Sequence, residues 1–134
     1  METVRIEYIG ELRTKAKHLR SGDELITDAP VDNQGKGEAF SPTDLLATSL
    51  GTCAITTVGI AARTHGFSID GAIVKVTKIM VSDPRRVGEV IVEMNFPANG
   101  YTEKEKEIIR RTAETCPVNK SLHTDVKQTY IFNF

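Results

Sequence analysis

Neither sign of charge is in excess in this chain: 17 Lys and Arg stand against 18 Asp and Glu over 134 residues, a formal net charge of -1. That balance lacks the basic footprint of a nucleic-acid binder, so no nucleic acid is expected as a partner. No apolar run reaches the ~18 residues of a membrane span, and Met1-Glu2-Thr3-Val4-Arg5 lacks the apolar stretch of a signal peptide. No membrane partner is expected, and the location expected is the cytoplasm. Cysteine is scarce, with Cys53 and Cys116 the only two. In a reducing compartment a permanent structural disulfide is not expected and a transient one is allowed. Histidine is also scarce: His18, His65 and His123 are scattered. Zinc usually requires four ligands with close pairs such as C-x₂-C, and no such pair occurs, so no metal site is expected. A phosphate-binding or dinucleotide loop is missing too, since Gly35-Lys36-Gly37 is too short a signal.

What is present reads as one α+β domain over residues 1–134, long enough to bury a core with little margin. Val4-Arg5-Ile6-Glu7-Tyr8 alternates like a strand, and Leu12–Ala16 and Glu24–Thr27 give two more, with a turn at Ser21-Gly22-Asp23. From Asp28 to Phe40 there is no period and there are many breakers, so a loop is expected. At Ser41 the pattern becomes helical. Ser41 suits an N-cap, Pro42 suits the first turn, and Asp44 stands three residues after the cap. Leu46, Leu50, Cys53, Ala54, Val58, Ala61 and Ala62 recur at helical spacing up to about His65, and Gly66 marks the end.

A helix this apolar is expected to be covered on most sides. Gly51 and Gly59 would admit another backbone closely, which points to a homodimer. Leu46, Leu50 and Val58 are expected to bound an apolar pocket. Ile73–Val81 and Val87–Phe96 then read as a hairpin, the second strand with Val90, Val92, Met94 and Phe96 on one face. Thr102 and Glu105 form a capping-box pair ahead of a second helix, in which Ile108, Ile109, Ala113 and Cys116 share a stripe. Pro117 ends that helix or opens a short further one, and Val126–Phe134 closes the chain as a strand.

The two thiols admit several readings. Free cysteine behaves as a small core hydrophobe, which accounts for both positions without chemistry. A Cys-His hydrolase needs a particular histidine, and nothing selects one. Thiol redox chemistry needs a thiolate, and an ordinary thiol with pKa ~8.5 is only a few per cent ionised at pH 7. Cys53 sits mid-helix, so a nearby cation would have to supply the activation. Cys116 gains local help if Pro117 begins a helix.

The run Ser41 to Cys53, with its S-P-x-D-L-L start, resembles the first motif of the OsmC/organic hydroperoxide resistance (Ohr) family. Thr115-Cys116-Pro117-Val118-Asn119-Lys120-Ser121-Leu122 resembles the second, and the order of elements matches over nearly the whole chain. The resemblance implies an OsmC-like fold, a central long helix packed on antiparallel sheet, and an intertwined homodimer with active sites at the subunit interface. It implies a Cys-based peroxidase of oxidative-stress defence in which Cys53 attacks an organic hydroperoxide and Cys116 resolves the sulfenic acid to a disulfide. A dithiol or small thiol then reduces the pair, with no cofactor and no metal. In the family's hydroperoxidases a glutamate ten positions before the first cysteine holds a thiolate-activating arginine. Here Thr43 stands in that place, with Asp44 beside it. Arg13 is the candidate cation, with Arg20 behind it. The alternative is an OsmC-fold binding or redox-sensing protein without efficient turnover.

Overall fold

The computed structural model describes all 134 residues, Met1 to Phe134. Two compact units separate along the chain, Met1–Leu46 and Ala47–Phe134.

The first unit is a three-stranded antiparallel sheet of β1 (Val4–Gly10), β2 (Arg13–His18) and β3 (Glu24–Asp28). β2 begins at Arg13 rather than Leu12, because Glu11 and Leu12 form the hairpin turn and both adopt positive φ. The stretch expected to be a loop contains one 3-10 turn, Val31–Asn33. Its return path is fixed by backbone bonds from Gly35 N–H to the Pro30 carbonyl at 3.0 Å and from Gly37 N–H to the Ala29 carbonyl at 3.2 Å. A Cβ at Gly35 would fall 1.7 Å from the Ala29 carbonyl oxygen, so only glycine closes this turn.

The long helix α1 runs Pro42–His65, as the sequence predicts. Its cap is reciprocal: the Asp44 N–H donates to Ser41 Oγ and the Ser41 N–H donates to Asp44 Oδ2, each at 3.0 Å. Burial follows one stripe (Ala47, Leu50, Gly51, Ala54, Val58, Ala62) rather than most of the circumference. The opposite face holds Ile60, 63% exposed. Two expectations change with this. Leu50 and Val58 are fully buried core residues and line no pocket. Gly51 serves contact with the chain's own sheet, where a Cβ would meet Val76 Cγ2 at 2.5 Å. By length and composition α1 would also suffice to cross a membrane, contrary to the reading that no such run exists, because its threonines, serines and glycines interrupt the apolar run without adding charge.

α1 packs on a second sheet ordered β4 (Ile73–Val81), β5 (Arg86–Asn95) and β6 (Lys127–Asn133). β4 and β5 are antiparallel, but β6 joins β5 in parallel, so this sheet is mixed rather than wholly antiparallel. The crossover from β5 to β6 contains α2 (Glu103–Ala113) and α3 (Pro117–Ser121), which is the length a parallel connection requires. Val90, Val92 and Met94 of β5 are fully buried, and just beyond its end Phe96 is 9% exposed; these join Leu50, Ala54, Val58, Ile109, Ala113 and Cys116 in one core. α2 carries the expected capping box, with Glu105 N–H to Thr102 Oγ1 at 3.1 Å and Thr102 N–H to Glu105 Oε1 at 2.9 Å.

Candidate functional site

Cys53 stands midway along α1, one residue before the buried Ala54, and is therefore half-buried at the edge of the core stripe. Cys116 is fully buried. It does not ride on the α2 stripe as the spacing suggests, because α2 stops at Ala113. The residue before a proline is driven to extended backbone, and Cys116 has φ -68 and ψ 151, which makes it the N-cap of α3 with Pro117 in the first turn. In that position its Sγ accepts the Asn119 N–H at 3.3 Å.

The fold brings the two thiols together. Cys53 packs on the core that contains Cys116, close enough to raise the Cys116 pKa. Burial is the largest influence on Cys116 and pushes its pKa up. The Asn119 N–H pulls it down and the neighbouring Cys53 pushes it up again, with a net rise. Cys116 is thus held as a neutral thiol.

Arg13 lies in the first unit, on β2. Its Nη2 donates to Asp28 Oδ2 at 3.3 Å and to Glu38 Oε2 in a short ion pair. The Asp28 side chain is wholly buried, and its Oδ2 also accepts the Glu38 N–H at 3.0 Å. That N–H is the largest cause lowering the Asp28 pKa; burial opposes it and Arg13 reinforces it. The hydrogen bonds from Arg13 to Glu38 and Asp28 raise the guanidinium pKa further, so it stays charged. Asp28 and Glu38 were not singled out in the sequence, since neither lies in a motif; the only hint was the Asp-Ala-Pro start of the loop. Thr43 offers no carboxylate, and its hydroxyl lies 3.2 Å from Ser41 Oγ. Arg20 sits exposed in the turn after β2. The three histidines make local surface contacts: His18 with Ser21 Oγ at 2.6 Å, His65 with the Ala61 carbonyl at 2.9 Å, and His123 with the Asp125 N–H at 3.0 Å. No group of three or more His, Cys, Asp or Glu side chains is arranged to hold a metal ion.

The two cysteine motifs both lie within the stretch, residues 35–130, that matches the family model described as OsmC-like protein. The chain belongs to the OsmC-like family. Among solved structures, a candidate osmotic stress induced and detoxification response protein from Psychrobacter arcticus 273-4 is 53% identical, with a TM-score of 0.95 over 99% of this chain and 96% of that one. An organic hydroperoxide resistance protein OsmC from Legionella pneumophila shares the fold at 17% identity, with a TM-score of 0.78 over 100% and 98% of the two chains. So does a candidate organic hydroperoxide resistance protein from Vibrio cholerae O1 biovar eltor, which holds captopril in one of its active sites, at 15% identity, TM-score 0.75 and coverage of 99% and 92%. No curated protein matches the chain.

Proposed function

We propose that this OsmC-like chain is a thiol-dependent peroxidase that reduces organic hydroperoxides in oxidative-stress defence. The observation that carries the reading is the meeting of Cys53 and Cys116, far apart in sequence, on one core. The Cys53 thiolate attacks the terminal oxygen of the hydroperoxide, the O–O bond breaks, an alcohol leaves and Cys53 becomes a sulfenic acid. Cys116 then condenses with it to a disulfide and releases water. A dithiol or small thiol returns both sulfurs to the reduced state. No step requires a cofactor.

Arg13 is the cation we assign to thiolate activation, with Asp28 and Glu38 supplying the carboxylates that Thr43 does not. A second copy of the chain is the proposed partner. The outer face of α1 and the β1 residues Val4, Ile6 and Tyr8, 44%, 65% and 65% exposed, are apolar surface that a homodimer would cover. The cytoplasm is the proposed location, where thiol reductants are abundant. Hydroperoxide resistance in the names of the Legionella and Vibrio proteins accords with this assignment.

Turnover with cumene hydroperoxide and with hydrogen peroxide, each with a dithiol and a monothiol reductant, tests the proposal. The apolar setting of Cys53 predicts faster reaction with the organic peroxide by one or two orders of magnitude, since each buried CH₂ contributes up to about 0.8 kcal/mol. Equal rate constants contradict the substrate assignment. No reaction with either peroxide favours the binding or redox-sensing alternative.

A further inference from the structure

A closed ring of hydrogen bonds stands behind Cys116 and takes no part in the reaction as written above. Asn119 Nδ2 donates to the Tyr130 hydroxyl at 2.9 Å. That hydroxyl donates to Gln128 Oε1 at 2.9 Å, and Gln128 Nε2 donates to the Asn119 carbonyl at 3.1 Å. Asn119 is therefore gripped at both its side chain and its backbone by two residues of β6. Its remaining N–H is the one that reaches Cys116 Sγ at 3.3 Å. Gln128 and Tyr130 are two positions apart and share a face of β6, in register with the buried Val90 and Val92 of β5. The grip is thus anchored in the packed sheet, whereas the five-residue α3 is too short to hold its own geometry.

The groups acting on Cys116 are few: Cys53 from α1, and the backbone N–H groups of Val118 and Asn119 from α3. The Tyr130 hydroxyl from β6 also lies close to Cys116, Glu114 and Cys53, and burial is the main influence that raises its pKa.

We propose that Tyr130, Gln128 and Asn119 form a positioning clamp for the resolving thiol, fixing the Asn119 N–H on Cys116 Sγ so that this sulfur reacts as a thiolate aimed at Cys53. The proposal rests on Cys116 being the resolving residue. In that step a Cys116 sulfur lone pair attacks the Cys53 sulfur, the Cys53 S–O bond breaks, and the S–S bond forms. The hydroxide that leaves combines with the proton given up by the Cys116 thiol to make water. The oxidising equivalents come from the hydroperoxide spent in making the sulfenic acid. A hydrogen bond to the developing thiolate favours the charged form against the penalty of burial. Tyr130 gives its proton to Gln128, so it is a positioning residue and not the acid.

Tyr130→Phe tests the clamp, because it keeps the ring stacked on Phe132 and deletes only the hydroxyl that two bonds share. Rapid-mixing kinetics should show unchanged formation of the Cys53 sulfenic acid and disulfide formation slowed about tenfold. The pH midpoint of the second step should move upward, and excess hydroperoxide should over-oxidise Cys53. A second readout needs no peroxide: thiolate absorbance against pH in Cys53→Ser, with and without Tyr130→Phe, where the added substitution should raise the Cys116 midpoint. Gln128→Met carries the same test if Tyr130→Phe fails to fold. An unchanged thiolate titration, or equal slowing of both chemical steps with a lowered melting temperature, overturns the clamp. Failure of the intact chain to react with any hydroperoxide overturns the peroxidase reading instead, and the titration still decides the clamp.

Discussion

The two compact units place their apolar residues oppositely. In Ala47–Phe134, Leu50, Val58, Val90, Val92, Met94 and Ile109 are wholly buried. In Met1–Leu46 the buried residues are Thr27, Asp28 and Ser41, while Val4, Ile6, Tyr8 and Leu25 are exposed. Strand register puts those four on one face of the first sheet, because Ile6 pairs with Ala16 and Ala16 with Leu25. The second unit is held by its own core. The first is organised by hydrogen bonds and the Arg13–Asp28–Glu38 pairings, and it presents an apolar face that we assign to a second copy. The thiols sit in the unit with the buried apolar core, and the charged cluster sits in the unit whose buried residues are polar.

The largest effect should come from the unit with the apolar core. Cys53→Ser should abolish hydroperoxide reduction while leaving thermal unfolding nearly unchanged; residual turnover at the wild-type rate would move the chemistry elsewhere. Next in size is a paired substitution that sets one unit against the other. Ile109→Ala, in the core, should cost about 2–5 kcal/mol in denaturant unfolding. Ile6→Ala should cost less than about 0.5 kcal/mol per isolated chain, as exposed positions do. Sedimentation at low micromolar concentration should nevertheless show weaker self-association for Ile6→Ala. A well-folded wild-type monomer at that concentration would remove the homodimer from the account.

A smaller effect concerns the polar anchor. The Asp28 pKa is lowered in the fold, so the folded state binds fewer protons than the unfolded one. Its contribution is complete above the unfolded value of ~3.9 and is lost as pH falls through the folded value. Denaturant stability of the wild type should therefore decline in acid below about pH 4. Asp28→Asn should be less stable at neutral pH and show a shallower acid decline. An unaltered acid profile in Asp28→Asn would mean that the carboxylate anchors neither the loop nor Arg13.

Much of the fold is legible in the sequence because its signals are local. The Ser41–Asp44 cap, the Thr102–Glu105 box and the alternation from Val90 to Phe96 each depend on neighbours within a few residues, and each forms as read. Pairing direction is not local, so nothing in Val126–Phe134 announced that β6 would run parallel to β5. The α1 stripe shows the same limit, since helical spacing at Leu50 and Val58 is identical for a pocket wall and a core. The site divides in the same way. Cys116-Pro117 announced a break and a cap from adjacent residues. The partners of Arg13 lie fifteen and twenty-five positions away, and no periodicity encodes an ion pair at that distance.

The central claim is that Cys53 reacts first and Cys116 resolves it within one chain. Mass spectrometry after one equivalent of an organic hydroperoxide tests this most directly. An intramolecular Cys53–Cys116 disulfide is expected in the wild type, and a trapped or over-oxidised Cys53 in Cys116→Ser. Modification of Cys116 with Cys53 left unreacted would contradict it.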